Sequence, residues 1–287
     1  MKAAMFSLKN CGIGLAGALA LACSAGAQAT LANGIVDTWT VGVSTVFDTS
    51  SICDSTNDCT APTGVTVVNN QSLRWGTSTG YGQSGLDITG SPSTQNVNTN
   101  GAPVANVSIT HLNHPITGTT LKSLTIDSTL TLTPFAPPGA GLPSAVLSFK
   151  VDFLETPNGA NPCADGGANG SGVNGAGCAD IYVMDQNSLN FPFFYDLDGA
   201  GPLQNQQYYI SFFELTNGLN PLPAAACASV GVSSPCLGFE TPENQNTTVQ
   251  FAALITTKPV QVVPEPGTLA LMGIALTGLG LARRRKN

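Results

Sequence analysis

Charge is scarce in this chain, and positive charge is scarcest. Lys and Arg together number 10 in 287 residues, against 17 Asp and Glu and 2 His. Six of the ten cations sit at the two ends, as Lys2, Lys9, Arg283, Arg284, Arg285 and Lys286. Once Glu265 is counted with the tail, the interior keeps Arg74, Lys122, Lys150 and Lys258 against 16 acids, a net charge of −12. Such a surface repels phosphate backbones, which excludes nucleic acid as a partner. Sequence signatures of catalysis are missing too. There is no G-x-S-x-G elbow, no H-E-x-x-H, no P-loop and no dinucleotide fingerprint. Carboxylate pairs for glycoside hydrolysis stay open, because 16 acids form many pairs and sequence does not measure their separation. What is present is Thr, Ser, Asn, Gln and Gly, which carry most of the polarity. That composition suits an exported β-protein with hydroxyl-rich strand faces and argues against an enzyme. A hydrophobic share of 42% is too high for a disordered spacer over the whole length.

The N-terminus has a basic start (Lys2, Lys9), an apolar run from Gly12 to Ala22, and a small-x-small site at Ala27-Gln28-Ala29. This is a signal peptide over residues 1–29, cut before Thr30. Cys23 raises a lipoprotein alternative, but Ala20-Leu21-Ala22 is a poor match to a lipobox. Signal removal leaves six cysteines in three local pairs: Cys53/Cys59, Cys163/Cys178 and Cys227/Cys236. In an oxidising compartment disulfides are the default, and six cysteines allow 15 connectivities. Pairing of neighbours closes the shortest loops. Each pair also flanks a turn-rich stretch that needs a staple. Zinc would prefer Cys-x-x-Cys spacing or a nearby His, and no pair has either.

The C-terminus reads Pro264-Glu265-Pro266, then an uncharged run from Gly267 to Ala282, then Arg283, Arg284, Arg285 and Lys286. An apolar segment ended by cations stops in a membrane with the cations on the cytoplasmic side. As a helix the run is about 24 Å long at ~1.5 Å per residue, short of the ~30 Å hydrocarbon core. It spans only with the basic side chains snorkelling. This order of parts resembles the PEP-CTERM sorting signal of Gram-negative bacteria. The resemblance implies a transient inner-membrane hold and processing by an exosortase near the Pro-Glu-Pro triplet. An ordinary single-pass anchor is the alternative.

Between the ends, β-rich runs alternate with Gly/Pro/Asn turns. Leu124, Ile126, Ser128, Leu130 and Leu132 share one parity, and Leu147, Phe149, Val151 and Phe153 share another. Further strands are expected at Ile35–Phe47, 65–68, 72–75, 104–112, 181–184, 206–215 and 247–256, with no helix. About nine short strands predict an all-β fold, a jelly-roll-like β-sandwich over residues 30–262. A signal helix flanks it on one side, and on the other a sorting segment (263–287) with its transmembrane helix.

One internal stretch carries a second resemblance. Thr110-His111-Leu112-Asn113 reads T-H-x-N, with Leu73-Arg74-Trp75-Gly76 and Gln83-Ser84-Gly85-Leu86 upstream. Together these resemble the THxN family of PEP-CTERM proteins. The resemblance implies an exported surface protein and brings no activity with it. His111 and His114 are the only histidines. In an extended segment their spacing of three spans about 10 Å and does not converge on one metal. The reading adopted is structural: His111 ties neighbouring strands through its ring nitrogens, and Thr110 and Asn113 fix the turn. A metal or ligand site is the competing reading. Arg74 is expected to pair with a carboxylate or stack on a ring.

Asp196-Leu197-Asp198-Gly199 resembles the start of a calcium loop, with Gly201 at the expected glycine. Ala200 and Gln207 break the pattern at two ligand positions. An Asp/Gly turn is the favoured reading, and calcium on Asp196 and Asp198, aided by Asp180 or Asp185, the alternative. The functional expectation is a non-enzymatic structural or adhesive protein of an exopolysaccharide layer, with an exosortase as processing partner and no required cofactor. A calcium-dependent glycan-binding module and a polysaccharide hydrolase are the alternatives.

Overall fold

The computed structural model describes residues 34–184, 190–196, 206–216 and 218–260. The expected signal peptide and the sorting segment lie outside these residues. In chain order the strands are β1 (Thr38–Asp54), β2 (Val65–Asn69), β3 (Ser72–Trp75), β4 (Thr77–Ser78), β5 (Ser84–Thr89), β6 (Ser93–Asn98), β7 (Val104–Leu112), β8 (Ile116–Thr117), β9 (Leu121–Ala136) and β10 (Ala145–Leu154). Next come β11 (Asp180–Met184), β12 (Phe191–Tyr195), β13 (Gln206–Glu214), β14 (Asn220–Pro221), helix α1 (Ala224–Ser229), β15 (Leu237–Thr241) and β16 (Asn246–Thr256).

Two seven-stranded antiparallel sheets result. One runs β14-β15-β11-β10-β9-β1-β6, the other β12-β13-β16-β7-β5-β3-β2, and β4 pairs with β8 apart from both. Strand alternation drives the arrangement. Trp39, Val41, Val43, Thr45 and Phe47 of β1 turn inward beside Leu132, Leu130, Ser128 and Ile126 of β9. The single polar step in this ladder is closed by a 2.9 Å hydrogen bond between the Thr45 and Ser128 hydroxyls. The parities expected for β9 and β10 hold: Val151 and Phe153 are buried while Ser148 and Lys150 are exposed.

Side chains of both sheets meet in two apolar clusters. One gathers around Trp75 with Leu73, Leu86, Ile126, Phe153 and Tyr182. The other gathers around Trp39 with Val41, Leu132, Tyr208 and Ile255. Phe193, Tyr195 and Tyr208 set their rings edge-on to Trp39 at 5.2–5.3 Å, a favoured aromatic geometry.

Strand β11 is buried on both faces, so its alternation is hidden in an unbroken apolar run. Tyr182 and Met184 face the Trp75 cluster. Ile181 and Val183 face outward and are covered by Ala226, Cys227 and Cys236. The cover includes α1, a correction to the expectation of no helix. Its sequence AAACAS follows Pro223 and is rich in the best helix former. The run is too short to show helical periodicity. A disulfide joins Cys227 to Cys236, and others join Cys163 to Cys178 and Cys53 to Cys59, so all three neighbour pairs form. The Cys53–Cys59 loop has a second fastening. Asp54 accepts five hydrogen bonds from Thr56, Asp58 and Thr63. These bonds, the Thr56 hydroxyl first, hold its carboxyl well below the usual carboxylate range.

No helix among the described residues is long and apolar enough to cross a membrane.

Candidate functional site

The three fragments singled out in the sequence converge. They are the ends of β3, β5 and β7, adjacent strands of one sheet. Leu73 pairs with Leu86, and Leu86 with His111; Trp75 pairs with Ser84. Beyond the strands the chain reverses through Gly76. Its φ is +71°, and a Cβ there would fall 2.2 Å from Ile116 Cδ1. Only glycine takes this backbone without strain and leaves Ile116 its place. The Gln83 side-chain amide donates to the Gly76 carbonyl at 2.7 Å. The His114 backbone N–H donates to the Ser84 hydroxyl, which faces the His114 carbonyl at 3.1 Å. Thus the Trp-Gly element, the Gln-Ser-Gly element and the T-H-x-N element form one corner of the sandwich.

Arg74 lies across this corner and holds Asp87 with two guanidinium nitrogens at 2.7 and 2.9 Å. Gly85 makes room for it, since a Cβ there would meet Arg74 Cδ at 2.7 Å. Burial would raise the Asp87 carboxyl, but hydrogen bonds from Arg74 and Ser72 outweigh it and hold the group below its ordinary value.

His111 is wholly buried, between Trp75, stacked at 5.8 Å, and Phe153, edge-on at 5.0 Å. Neither ring nitrogen has a hydrogen-bond partner. The structure therefore replaces the expected strand-tying hydrogen bonds with ring packing. Its Nε2 faces Asp180 Oδ2 at 3.7 Å, too far for a hydrogen bond. Burial pushes the imidazole down to about 3, with nearby His114 adding to the effect, so the ring is neutral. Thr110 behaves differently: its hydroxyl meets that of Thr248 on β16 at 2.8 Å, on the exposed face. Asn113 is buried, but its side chain bonds the opposite sheet and not the turn it was expected to fix. Its Nδ2 donates to the Thr241 carbonyl at 2.9 Å, while its Oδ1 has no partner.

The opposite sheet brings carboxylates to His111. Asp180 begins β11 and is buried. Its Oδ1 accepts from the Thr156 backbone N–H at 2.8 Å, and its Oδ2 has no partner. Glu155 follows β10. Its Oε2 accepts from Trp75 Nε1 at 2.8 Å, and its Oε1 lies 3.4 Å from the Ser84 hydroxyl. Glu155 also lies beside Asp180, close enough for each carboxyl to shift the other. Glu243 lies just beyond β15 and is 5% exposed; neither carboxylate oxygen has a partner at strict hydrogen-bond geometry, but the Asn158 side chain and the Asn244 backbone N–H stand close enough to pull its carboxyl down against the effect of burial.

Burial raises the carboxyls of all three acids, and their mutual repulsion adds to the rise for Glu155 and Asp180. Glu155 is pushed up to about 7. Asp180 rises well above its ordinary value, through burial first and then repulsion from Glu155. Among the described residues no Lys or Arg ion pair compensates them: Arg74 is committed to Asp87 and Lys150 to Asp152. Among the described residues, no three His, Cys, Asp or Glu side chains stand in a ready-made metal cage.

The sequence pointed to His111 and Asn113 but not to Glu155 or Glu243. Asp180 entered only as a helper to Asp196 and Asp198. The available signal was an acid heading the otherwise apolar stretch DIYVM. The structure does not unite Asp196 with this corner. It follows Tyr195, which packs on Trp39 in the other cluster, and Asp198 lies outside the described residues.

The C-terminal segment settles where the chain is directed. Residues 262–286 match the PEP-CTERM protein-sorting motif. The match covers Pro264, Glu265, Pro266 and the Arg283, Arg284 and Arg285 run. A PEP-CTERM motif implies export, passage through the membrane for sorting and recognition by an exosortase. No curated protein matches the chain.

Proposed function

We propose that the chain is a surface or extracellular-matrix protein with a structural or adhesive, non-enzymatic role in the exopolysaccharide layer. The PEP-CTERM match carries this reading. Three disulfides fit a protein that works in an oxidising compartment. The outer strand faces fit contact with sugars. Thr38 donates to Asn98, Thr40 to Asn96, and Thr110 pairs with Thr248, which makes exposed ladders of hydroxyls and amides with little charge. The acids that do meet, Glu155 and Asp180, are tied to Trp75 and Thr156 between the sheets. Glycoside hydrolysis needs a pair some ~5–10 Å apart flanking an open cleft. Membership of the THxN group, jelly-roll connectivity, a signal helix before Thr30 and a transmembrane helix after Pro266 belong to the same proposal.

The test is in the producing cell. Replacing Pro264, Glu265 and Pro266 by alanine should trap the protein in the inner membrane and deplete it from the matrix. Normal surface delivery of that variant would refute the sorting reading. Failure of the wild-type protein to co-sediment with purified exopolysaccharide would refute the matrix role alone.

A further inference from the structure

We propose that the corner built by the T-H-x-N segment is a binding site for a hard divalent cation, calcium by preference. Its ligands are oxygens of Glu155, Asp180, Glu243, Asn113 and Thr241, and His111 is a positioning residue.

The donors are counted from what the fold leaves unpaired. Asp180 Oδ2, both Glu243 carboxylate oxygens, Asn113 Oδ1 and Thr241 Oγ1 are buried and have no hydrogen-bond partner. Glu155 Oε1 has only the 3.4 Å approach of Ser84. Buried oxygens without partners are costly and rare in folded proteins. Here they belong to one neighbourhood. Asn113 is bonded to the Thr241 carbonyl, Thr241 is the cross-strand partner of Asp180, Asp180 is held by the backbone N–H of Thr156 next to Glu155, and Glu243 repels both acids.

The second observation comes from outside the acids. The fully buried His111 directs Nε2 at Asp180 Oδ2 from 3.7 Å without bonding it. As the Nε2–H tautomer it donates to that carboxylate once Asp180 is drawn into position. Metal ligands are commonly aligned by such a neighbour.

The class of ion follows from the donors. Six oxygens against at most one ring nitrogen suit calcium, which takes 6–8 oxygens at about 2.3–2.6 Å. Softer metals would want more nitrogen or sulfur, and the cysteines here are in disulfides. The acids are not gathered into a cage, so binding requires Glu243 to rotate inward. In doing so it gives up only loose contacts with the Asn158 side chain and the Asn244 backbone N–H. Among the described residues the facing charges are Glu155, Asp180 and Glu243 themselves, with His111 and His114 from the β7 side, and no Lys or Arg ion pair.

The test uses the full-length chain in detergent, stripped with EDTA, and calcium chloride at pH 7.5. Calorimetry should show one saturable equivalent with a Kd below about 1 mM, the range of extracellular calcium modules. At a hundredfold excess over Kd, Tm should rise by roughly 5–10 °C. At pH 5 the rise should shrink, because the ion must displace protons from the carboxyls. Glu243→Gln keeps the volume and should weaken binding at least tenfold. His111→Phe keeps ring packing but cannot donate to Asp180, and should weaken calcium roughly 10–100-fold. An unchanged calcium response in His111→Phe would remove its positioning role. Absence of any calcium-dependent rise, binding undiminished by Glu243→Gln, or tighter binding of manganese or zinc would each overturn the site.

Discussion

Trp75→Phe tests whether the indole N–H supports an ionised carboxylate inside the sandwich. Trp75 is fully buried and its Nε1 donates to Glu155 Oε2 at 2.8 Å. Phenylalanine keeps a ring against Phe153 and His111 but loses the donor and part of the volume. The volume loss should cost about 2 kcal/mol, between the ~0.5–1.5 of Ile→Val and the ~3–5 of Trp→Ala. The lost hydrogen bond adds a term that depends on pH. With Glu155 protonated, a neutral bond worth about 1 kcal/mol is gone; with Glu155 ionised, a charge-assisted bond worth about 1.5–3 kcal/mol is gone.

Burial raises Glu155 to about 7, while the Trp75 bond pulls it the other way. A raised acid stabilises the folded state below its unfolded pKa, and that stability drains away as pH climbs to the folded value. Removing Trp75 raises the folded pKa further, so the deficit must widen between pH 5 and pH 8. The expected cost is about 3 kcal/mol at pH 5 and about 3.5–5 kcal/mol at pH 8. At ~2–4 °C per kcal/mol for a domain of this size, Tm should fall by roughly 6–12 °C and 7–20 °C. Wild type and variant should be melted side by side in EDTA at both pH values. His111 is neutral in both proteins, so its titration in the unfolded chain cancels. A deficit equal at pH 5 and pH 8 would refute the bond to an ionisable Glu155.

Two further outcomes follow from the same corner and its cover. Gly76→Ala forces an L-residue to φ +71° and a Cβ against Ile116; it should cost about 2–4 kcal/mol in denaturant unfolding, and a neutral result would contradict the described reversal. Replacing Cys163 and Cys178 by serine opens a loop of sequence separation 15; the loss should be about 3 kcal/mol, and non-reducing peptide mapping of wild type should find the three neighbour pairs and no crossed ones.

Much of the sandwich was legible because half-buried strands announce themselves. Leu124 to Leu132 and Leu147 to Phe153 alternate cleanly, and their faces came out as read. Strands were missed where one residue type or one short run hides the period. β6 (STQNVN) is mostly polar at a sheet edge, β12 (FPFFY) carries a proline, and β15 is five residues between turns. α1 was missed because six residues show no helical repeat. The disulfide pairing was legible from spacing alone. At the corner, His111, Asn113, Trp75 and Gly76 stood out by rarity and resemblance. Glu155 and Glu243 could not, because they join the corner only when the second sheet closes over the first. The chemistry of His111 was misjudged for the same reason: its setting is aromatic and acidic across the sandwich, and sequence neighbours do not reveal that.

The most direct test of the sorting account is the intact mass of the protein recovered from the cell surface. The account predicts a chain that begins at Thr30, ends near Pro264–Pro266, and lacks Arg283 to Asn287. Recovery of surface protein that still carries the basic tail would contradict it.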